Sequence, residues 1–195
     1  MALTAIGLCS RALIKIGATA ITAFDEGTAE AEVAAALYEP ARDALLSANP
    51  WSFATRQATL PRLADAPVAD FAAAFQLPAD FLRALGAGAG AGTGAGGRGR
   101  GLVYRIAGRA LQADSDTVTL TYLGRPAEED FPPFFDQALI ARLAAEFCIP
   151  LTENSSRADL LQRLAEAEFR RARQIDGQQD SQPGFEDFTL IDARG

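Results

Sequence analysis

The chain reads as a mainly α, α+β protein: a four-helix body, a small antiparallel β-sheet inserted between the second and third long helices, and an extended C-terminal arm. Three observations predict this. Four stretches repeat apolar residues at spacings of three and four, the middle of the chain alternates or carries turn-forming Gly, Pro and Asp, and the last stretch loses helical period. An apolar fraction of 49% with 22% charged residues over 195 positions suits one compact unit. The organisation expected is a helical body over 1–50 and 125–176, a sheet over 51–124 with a Gly-rich hairpin tip at 86–101, and an arm over 177–195.

Ile6, Cys9, Leu13 and Ile16, with Leu8, Ala12 and Ile14 beside them, predict a first helix over 4–16 that Gly17 closes as a C-cap. A connector with Ile21 and Phe24 as anchors leads to Thr28, which caps a second helix carrying Glu30 and Glu32 in its first turn, where the helix dipole favours acids. Val33, Leu37, Ala41, Leu45 and Ala48 give that helix one apolar face, with Arg42 and Asp43 off the stripe. Pro40 lies inside it, costs the bond to the Ala36 carbonyl and predicts a kink or a short break.

Asn49-Pro50 ends the helix, because a proline forces the residue before it away from helical angles. Trp51, Phe53 and Thr55 then alternate with smaller or polar residues and predict an extended segment over 52–60. Trp51 is the only tryptophan, and with Phe53 it should fasten helix and strand to one core. Pro78-Ala79-Asp80 is a tight turn into a strand over 81–85, and the Gly-rich run over 86–101 is read as a floppy tip joining it to a second strand over 102–107. Residues 108–114 and 118–123, with Asp114-Ser115-Asp116 between them, read as a further hairpin. Glu128, Glu129 and Asp130 supply N-terminal acids for a third helix over 131–149, ended by Pro150. Ser156 and Asp159 resemble a capping box for a fourth helix reaching about Ile175, with Leu160, Leu161 and Leu164 apolar and Glu166 four residues before Arg170.

The chain contains no histidine, which removes the commonest general base, the commonest metal ligand and the His-dependent nucleophile pairs. Cys9 and Cys148 lie far apart in apolar helical patterns and read as two buried thiols, so no cofactor and no metal are expected. An enzyme would have to use carboxylates, and Glu128-Glu129-Asp130 and Asp114/Asp116 are better explained as helix-start and turn residues; the expectation is therefore a protein without catalytic activity. Gly92-x-Gly94-x-x-Gly97 formally matches a dinucleotide fingerprint, but a strand follows it where the fingerprint needs a helix N-terminus. Nothing near the start resembles a signal peptide or a membrane span, which predicts a cytoplasmic product with no membrane partner. A net charge of −7 argues against a general nucleic-acid coat, yet it suits a surface that lets a polyanion slide past without sticking. In the arm, Phe185, Phe188, Leu190 and Ile191 have no core of their own and call for a surface to pack on, either the body or a partner.

Three blocks stand in order: RDALLSANPWSFATRQATL, then FQLPADFLRAL, then FFDQALIARLAAEFCIPLT with a last helix ending AEAEFRRARQID. Together they resemble the head-to-tail adaptor, or connector, proteins of tailed phages and gene transfer agents, the group that includes the tail tubular A proteins of short-tailed phages. The matching positions are Arg42, Pro50, Trp51, Phe53, Ala54, Leu77, Pro78, Asp80, Arg83 and Ala145; Pro40 and the Gly-rich run depart from the pattern. The resemblance implies a virion structural protein at the head–tail junction, assembled in the bacterial cytoplasm as a dodecameric ring under the portal protein. It further implies a platform for the next tail component, a stopper or nozzle, and a lumen through which double-stranded DNA passes without sequence-specific binding. The C-terminal arm would be the portal-binding element. The alternative is a cytoplasmic helical protein-interaction domain unrelated to virions.

Overall fold

The computed structural model describes residues 3–89 and 101–179, and among them the helices α1 (Ala5–Ile16), α2 (Ala29–Ser47), α3 (Pro133–Thr152) and α4 (Ser155–Asp176). The Thr4 hydroxyl accepts from the Gly7 N–H at 3.1 Å to start α1, and Gly17, at φ 79°, ends it in the left-handed conformation that costs glycine nothing. Thr28 caps α2 in the same way, accepting from the Ala31 N–H. α2 runs without a break through Pro40. Both Pro40 and Ala36, whose carbonyl loses its partner, face solvent, so water replaces the missing bond. Similarly, Pro150 does not end α3, which continues to Thr152 before Glu153 caps it in the left-handed region. The start of α3 also differs from expectation, since Glu128–Asp130 form a separate 3-10 turn and the helix begins at Pro133.

α3 is the central helix, touching α1, α2 and α4, whereas α1 and α2 meet only slightly. Its partner α4 begins at Asn154, whose side chain accepts from the Arg157 N–H, two residues ahead of the expected Ser156 start. The buried stripe of α4 is built from Ala158, Ala165 and Ala172, with Ala165 against Ala141 and Ala145 of α3. Small side chains on both helices permit a close approach that leucines would block. Leu160 and Leu164 are consequently displaced to the outside, 58% and 51% exposed, contrary to the apolar face expected from their hydrophobicity. The expected pair of Glu166 with Arg170 does not form among the described residues; the helix–surface pair that does is Arg142–Glu146 on α3.

Between α2 and α3 lie β1 (Thr55–Leu60), β2 (Ala73–Gln76), β3 (Phe81–Ala89), β4 (Tyr104–Ala107), β5 (Ala110–Ala113) and β6 (Val118–Gly124). They form two three-stranded antiparallel sheets, ordered β1-β6-β3 and β2-β5-β4, in place of the single small sheet expected. Both expected hairpins are re-paired. β3 pairs with β6 and not with the strand that follows it, and β5 pairs with β4 and β2 and not with β6. Two features of the sequence explain this. Gly108 (φ 59°) and Arg109 make a two-residue turn that closes β4 onto β5, with Ala107 opposite Ala110. β6, in turn, is largely buried on both faces and so occupies the middle of its sheet: Val118, Leu120 and Tyr122 pack against Phe75 and Leu111 of the other sheet, while Leu123 joins the helical core. β3 extends to Ala89, so residues 86–89 are strand; positions 90–100, with Arg98 and Arg100, lie outside the described residues.

The joint after α2 is not extended as expected. Ser52–Ala54 form a 3-10 turn, and the strand starts at Thr55, whose hydroxyl donates to the Trp51 carbonyl at 2.7 Å. The turn drives the Trp51 indole fully into the core, where its ring lies 5.3 Å from Phe135, 5.8 Å from Phe169 and 5.9 Å from Phe53. Its Nε1 donates to the Leu45 carbonyl at 3.1 Å. Replacing Trp51 by Ala leaves a cavity and removes one of the two bonds to the Leu45 carbonyl, which keeps the one from the Ala48 N–H; it is expected to cost about 3–5 kcal/mol in chemical denaturation. The native protein should show the blue-shifted emission of a water-excluded indole, and a fully water-exposed spectrum would refute that burial.

Candidate functional site

A continuous set of charges runs along the junction between helices and sheets. Arg42 is 8% exposed, not off the buried stripe as its position on the helical wheel suggested. Its Nε donates to Asp43 at 2.9 Å, an amine of its guanidinium donates to Glu128 at 3.1 Å, and its plane lies 5.4 Å from the Tyr38 ring. The Tyr38 hydroxyl donates to the same Glu128 oxygen at 3.0 Å. Asp43 accepts in addition from both nitrogen branches of Arg125, the first residue after β6. The Arg125 backbone N–H then donates to the Asp80 carbonyl at 2.8 Å, and the Asp80 carboxylate accepts from Arg56 and from the Tyr122 hydroxyl. α2, the turn before β3, the end of β6 and the turn before α3 are thereby tied in sequence.

Electrostatics follow from that geometry. Burial alone would raise the Asp43 carboxyl, but the hydrogen bonds from Arg125 and Arg42 outweigh it and hold the group below its ordinary value. For Arg42, burial works against the charge, and the bond and attraction of Asp43, helped by Glu128, more than restore it. Burial, reinforced by Glu128, pushes the Tyr38 hydroxyl upward, so it stays a donor. Gly124 leaves room where the strand passes this cluster: a Cβ there would come within 2.5 Å of the Asp80 carboxylate and 2.8 Å of the Arg56 side chain, and the Arg56–Asp80 pair would have to shift.

The matching positions of the sequence blocks divide into three groups. Arg42 and Asp80 belong to the charge network. Trp51, Phe53 and Ala54 belong to the helical core; Pro50 is exposed at its entrance, and Ala145 lies at the α3–α4 contact. Leu77 is buried in the core between the sheets, and Pro78 offers its carbonyl to the Phe81 N–H and to Arg109. Arg83 stands apart, exposed on β3 with no ion pair among the described residues. Phe185, Phe188, Leu190 and Ile191 lie outside the described residues. Sequence reasoning missed Tyr38, Arg125, Glu128 and Gly124 as members of one cluster, and it missed Asp176, which accepts from the Ser52 N–H and hydroxyl (2.6 Å from the latter) and anchors the end of α4 to the joint. The one available signal was an adjacent Arg-Asp pair on α2 answered by Arg125 and Glu128 around a chain reversal.

None of these groups forms a nucleophile–base pair, and no set of three or more His, Cys, Asp or Glu is placed to hold a metal ion among the described residues. Both cysteines are free and buried, and burial pushes the Cys9 thiol up to about 12. No helix among the described residues is long and apolar enough to cross a membrane. The arrangement can fix the angle between two lobes and leave its outer faces for partners.

Arg42→Ala removes the centre of the network while Glu128 and Asp43 keep their charges, and it is expected to cost about 2–4 kcal/mol in urea denaturation; Arg62→Ala, which breaks the exposed 3.1 Å pair with Asp116, should cost under about 1 kcal/mol. A second effect depends on pH. In the first turn of α3, Asp136 has one carboxylate oxygen buried without a partner, and burial, opposed only by Arg11, raises its carboxyl to about 6. A raised carboxyl favours the fold when protonated, so its contribution is full below pH about 4 and is lost as pH rises through about 6. Asp136→Asn should therefore raise stability by about 1–2 kcal/mol at pH 8, with the gain vanishing toward pH 4; a gain independent of pH would contradict the assignment. Compared with family models and with the curated proteins, the chain matches none.

Proposed function

We propose that the chain is a structural head-to-tail adaptor of a tailed phage or gene transfer agent particle, a ring subunit that joins the portal to the next tail component and lets DNA pass through its lumen. The observation that carries this reading is the placement of the resembling blocks. Most of their shared positions are packed or hydrogen-bonded at the joint between helices and sheets, where they fix shape, and none of them lines a reactive cleft. A family of rigid ring subunits requires conserved shape at such a joint and leaves contacts to its outer faces and termini. A head-to-tail ring closes by rotation, so each subunit needs two different faces held at a constant angle. The net charge of −7 supports a conduit past which a polyanion slides. The arm over 177–195 supplies an apolar segment for the portal, with Phe185, Phe188, Leu190 and Ile191 as its anchors.

Portal rings mixed with the chain test the reading, because a ring can template subunits that are monomeric alone. The wild-type chain should comigrate with portal rings on a density gradient and add a collar in negative-stain images. Phe188→Ala, or removal of 178–195, should abolish comigration while leaving the helical circular dichroism and melting temperature unchanged. A chain that never joins portal rings is the interaction domain of the alternative reading, and an arm deletion that still joins them assigns docking elsewhere.

A further inference from the structure

On opposite sides of α4 lie a protrusion and a recess. Leu160 and Leu164 project from one side; the other side, through Gln162, Ala165, Glu166 and Phe169, forms the wall of a groove completed by Ala41, Ala44, Leu45 and Ala48 of α2 and Arg142 of α3. Leu160 and Gln162, like Leu164 and Glu166, are two residues apart, which places them about 200° apart around a helix of 3.6 residues per turn. We propose that these two faces are the halves of one heterologous interface, in which the Leu160–Leu164 ridge of one copy seats in the α2–α4 groove of the next.

The ridge is the more telling half. Two leucines one turn apart on an otherwise strongly charged helix expose contiguous apolar surface that the monomer gains nothing by keeping wet, because the alanines of α4 already supply the contact with α3. The groove is the matching half. Its floor is apolar, its α2 wall is made of small side chains, and its volume of about 180 Å³ exceeds the roughly 150 Å³ of an engineered apolar cavity that takes up benzene. Branched four-carbon side chains therefore fit.

Charge complementarity points to a second copy as the occupant. Glu166 on the groove rim and Arg171, one face with Leu160 and Leu164, make no ion pair among the described residues. Bringing the ridge of one copy into the groove of another sets these opposite charges on facing rims; with Arg142 neutralised by Glu146 at 2.6 Å, Glu166 is the charge that the groove rim presents to Arg171. Because ridge and groove are different surfaces on opposite sides of one helix, the contact cannot close as a two-fold dimer. It propagates in one rotational sense, which generates a ring or a filament. The inference deepens the proposed ring reading by naming the subunit contact, and it rests on that reading for closure but not for the contact itself.

Leu160→Ser/Leu164→Ser removes the ridge, and Ala44→Glu blocks the groove; all three positions are exposed, so the helical circular dichroism and melting temperature of both variants should match the wild type. Sedimentation velocity over rising protein concentration should show wild-type species beyond the dimer, with each variant associating at least tenfold more weakly. Mixed in equal amounts, the two variants should form a heterodimer and stop there, since the mixture contains one intact ridge and one intact groove. Variants that associate as the wild type does, or a mixture that stays monomeric, would overturn the interface. A wild type monomeric at every concentration would overturn it as well. Comigration with portal rings separately decides the adaptor reading, so the two can fail independently.

Discussion

A buried indole has one N–H to satisfy, and the answer to that constraint organises the fold. Trp51 donates to the Leu45 carbonyl, near the end of α2, where helix carbonyls run out of intrahelical partners. The bond holds the chain close to the helix it has just left, and the 3-10 turn that follows carries the backbone to β1 with the ring still inside. Around the ring stand Phe53, Phe134, Phe135 and Phe169, edge-on or tilted, from the joint, α3 and α4. Asp176, the last residue of α4, reaches the same turn through Ser52. One side chain thus collects the C-terminal part of α2, the N-terminal part of α3 and the C-terminal half of α4.

The charge network does for orientation what the aromatic cluster does for cohesion. An aromatic cluster tolerates small rotations, because dispersion and area burial are weakly directional. Hydrogen-bonded ions are not so tolerant. Asp43 accepts from Arg42 and Arg125 together, and Arg42 also engages Glu128, so sliding of α2 relative to the end of β6 breaks several bonds at once. The network is half-buried, where the attraction is stronger than on the surface and the desolvation cost is below that of a fully enclosed pair.

Much of the local structure could be read from the sequence because its causes are local. Thr4 with Gly17, Thr28, and the Pro-Ala-Asp turn each announce an end or a beginning through chemistry within three or four residues. Pro40 and Pro150 misled in the other direction, since a proline ends a helix only when the freed carbonyl has nowhere to go, and both face water. Strand pairing was not legible. Which strand lies beside β6 depends on burial on both of its faces, and those partners are distant in sequence. The α4 stripe failed for a further reason. Hydrophobicity ranks leucine above alanine, but close helix packing ranks by size, and Ala158, Ala165 and Ala172 won the contact. Arg42 was hidden because Glu128, one of the two acids that pair with it, lies eighty-six residues away, and the Asp43 beside it is held in turn by the similarly distant Arg125.

The double burial of β6 also governs the order in which the chain can acquire its structure. β1 pairs only with β6, and β3 reaches its partner only through the same strand. α1 and α2 meet each other slightly and rely on α3, which lies later still. On a ribosome that releases the chain from its N-terminus, the first half therefore emerges with an unpaired strand and two helices lacking the surface they pack on. Only the β4–β5 turn can close early. Loop-closure entropy must be met before the long-range pairing returns any free energy, so the chain commits to its fold late and nearly all at once. The α2–α4 groove and the Leu160–Leu164 ridge both need α4, the last helix to emerge, so neither surface exists before the rest of the fold can form.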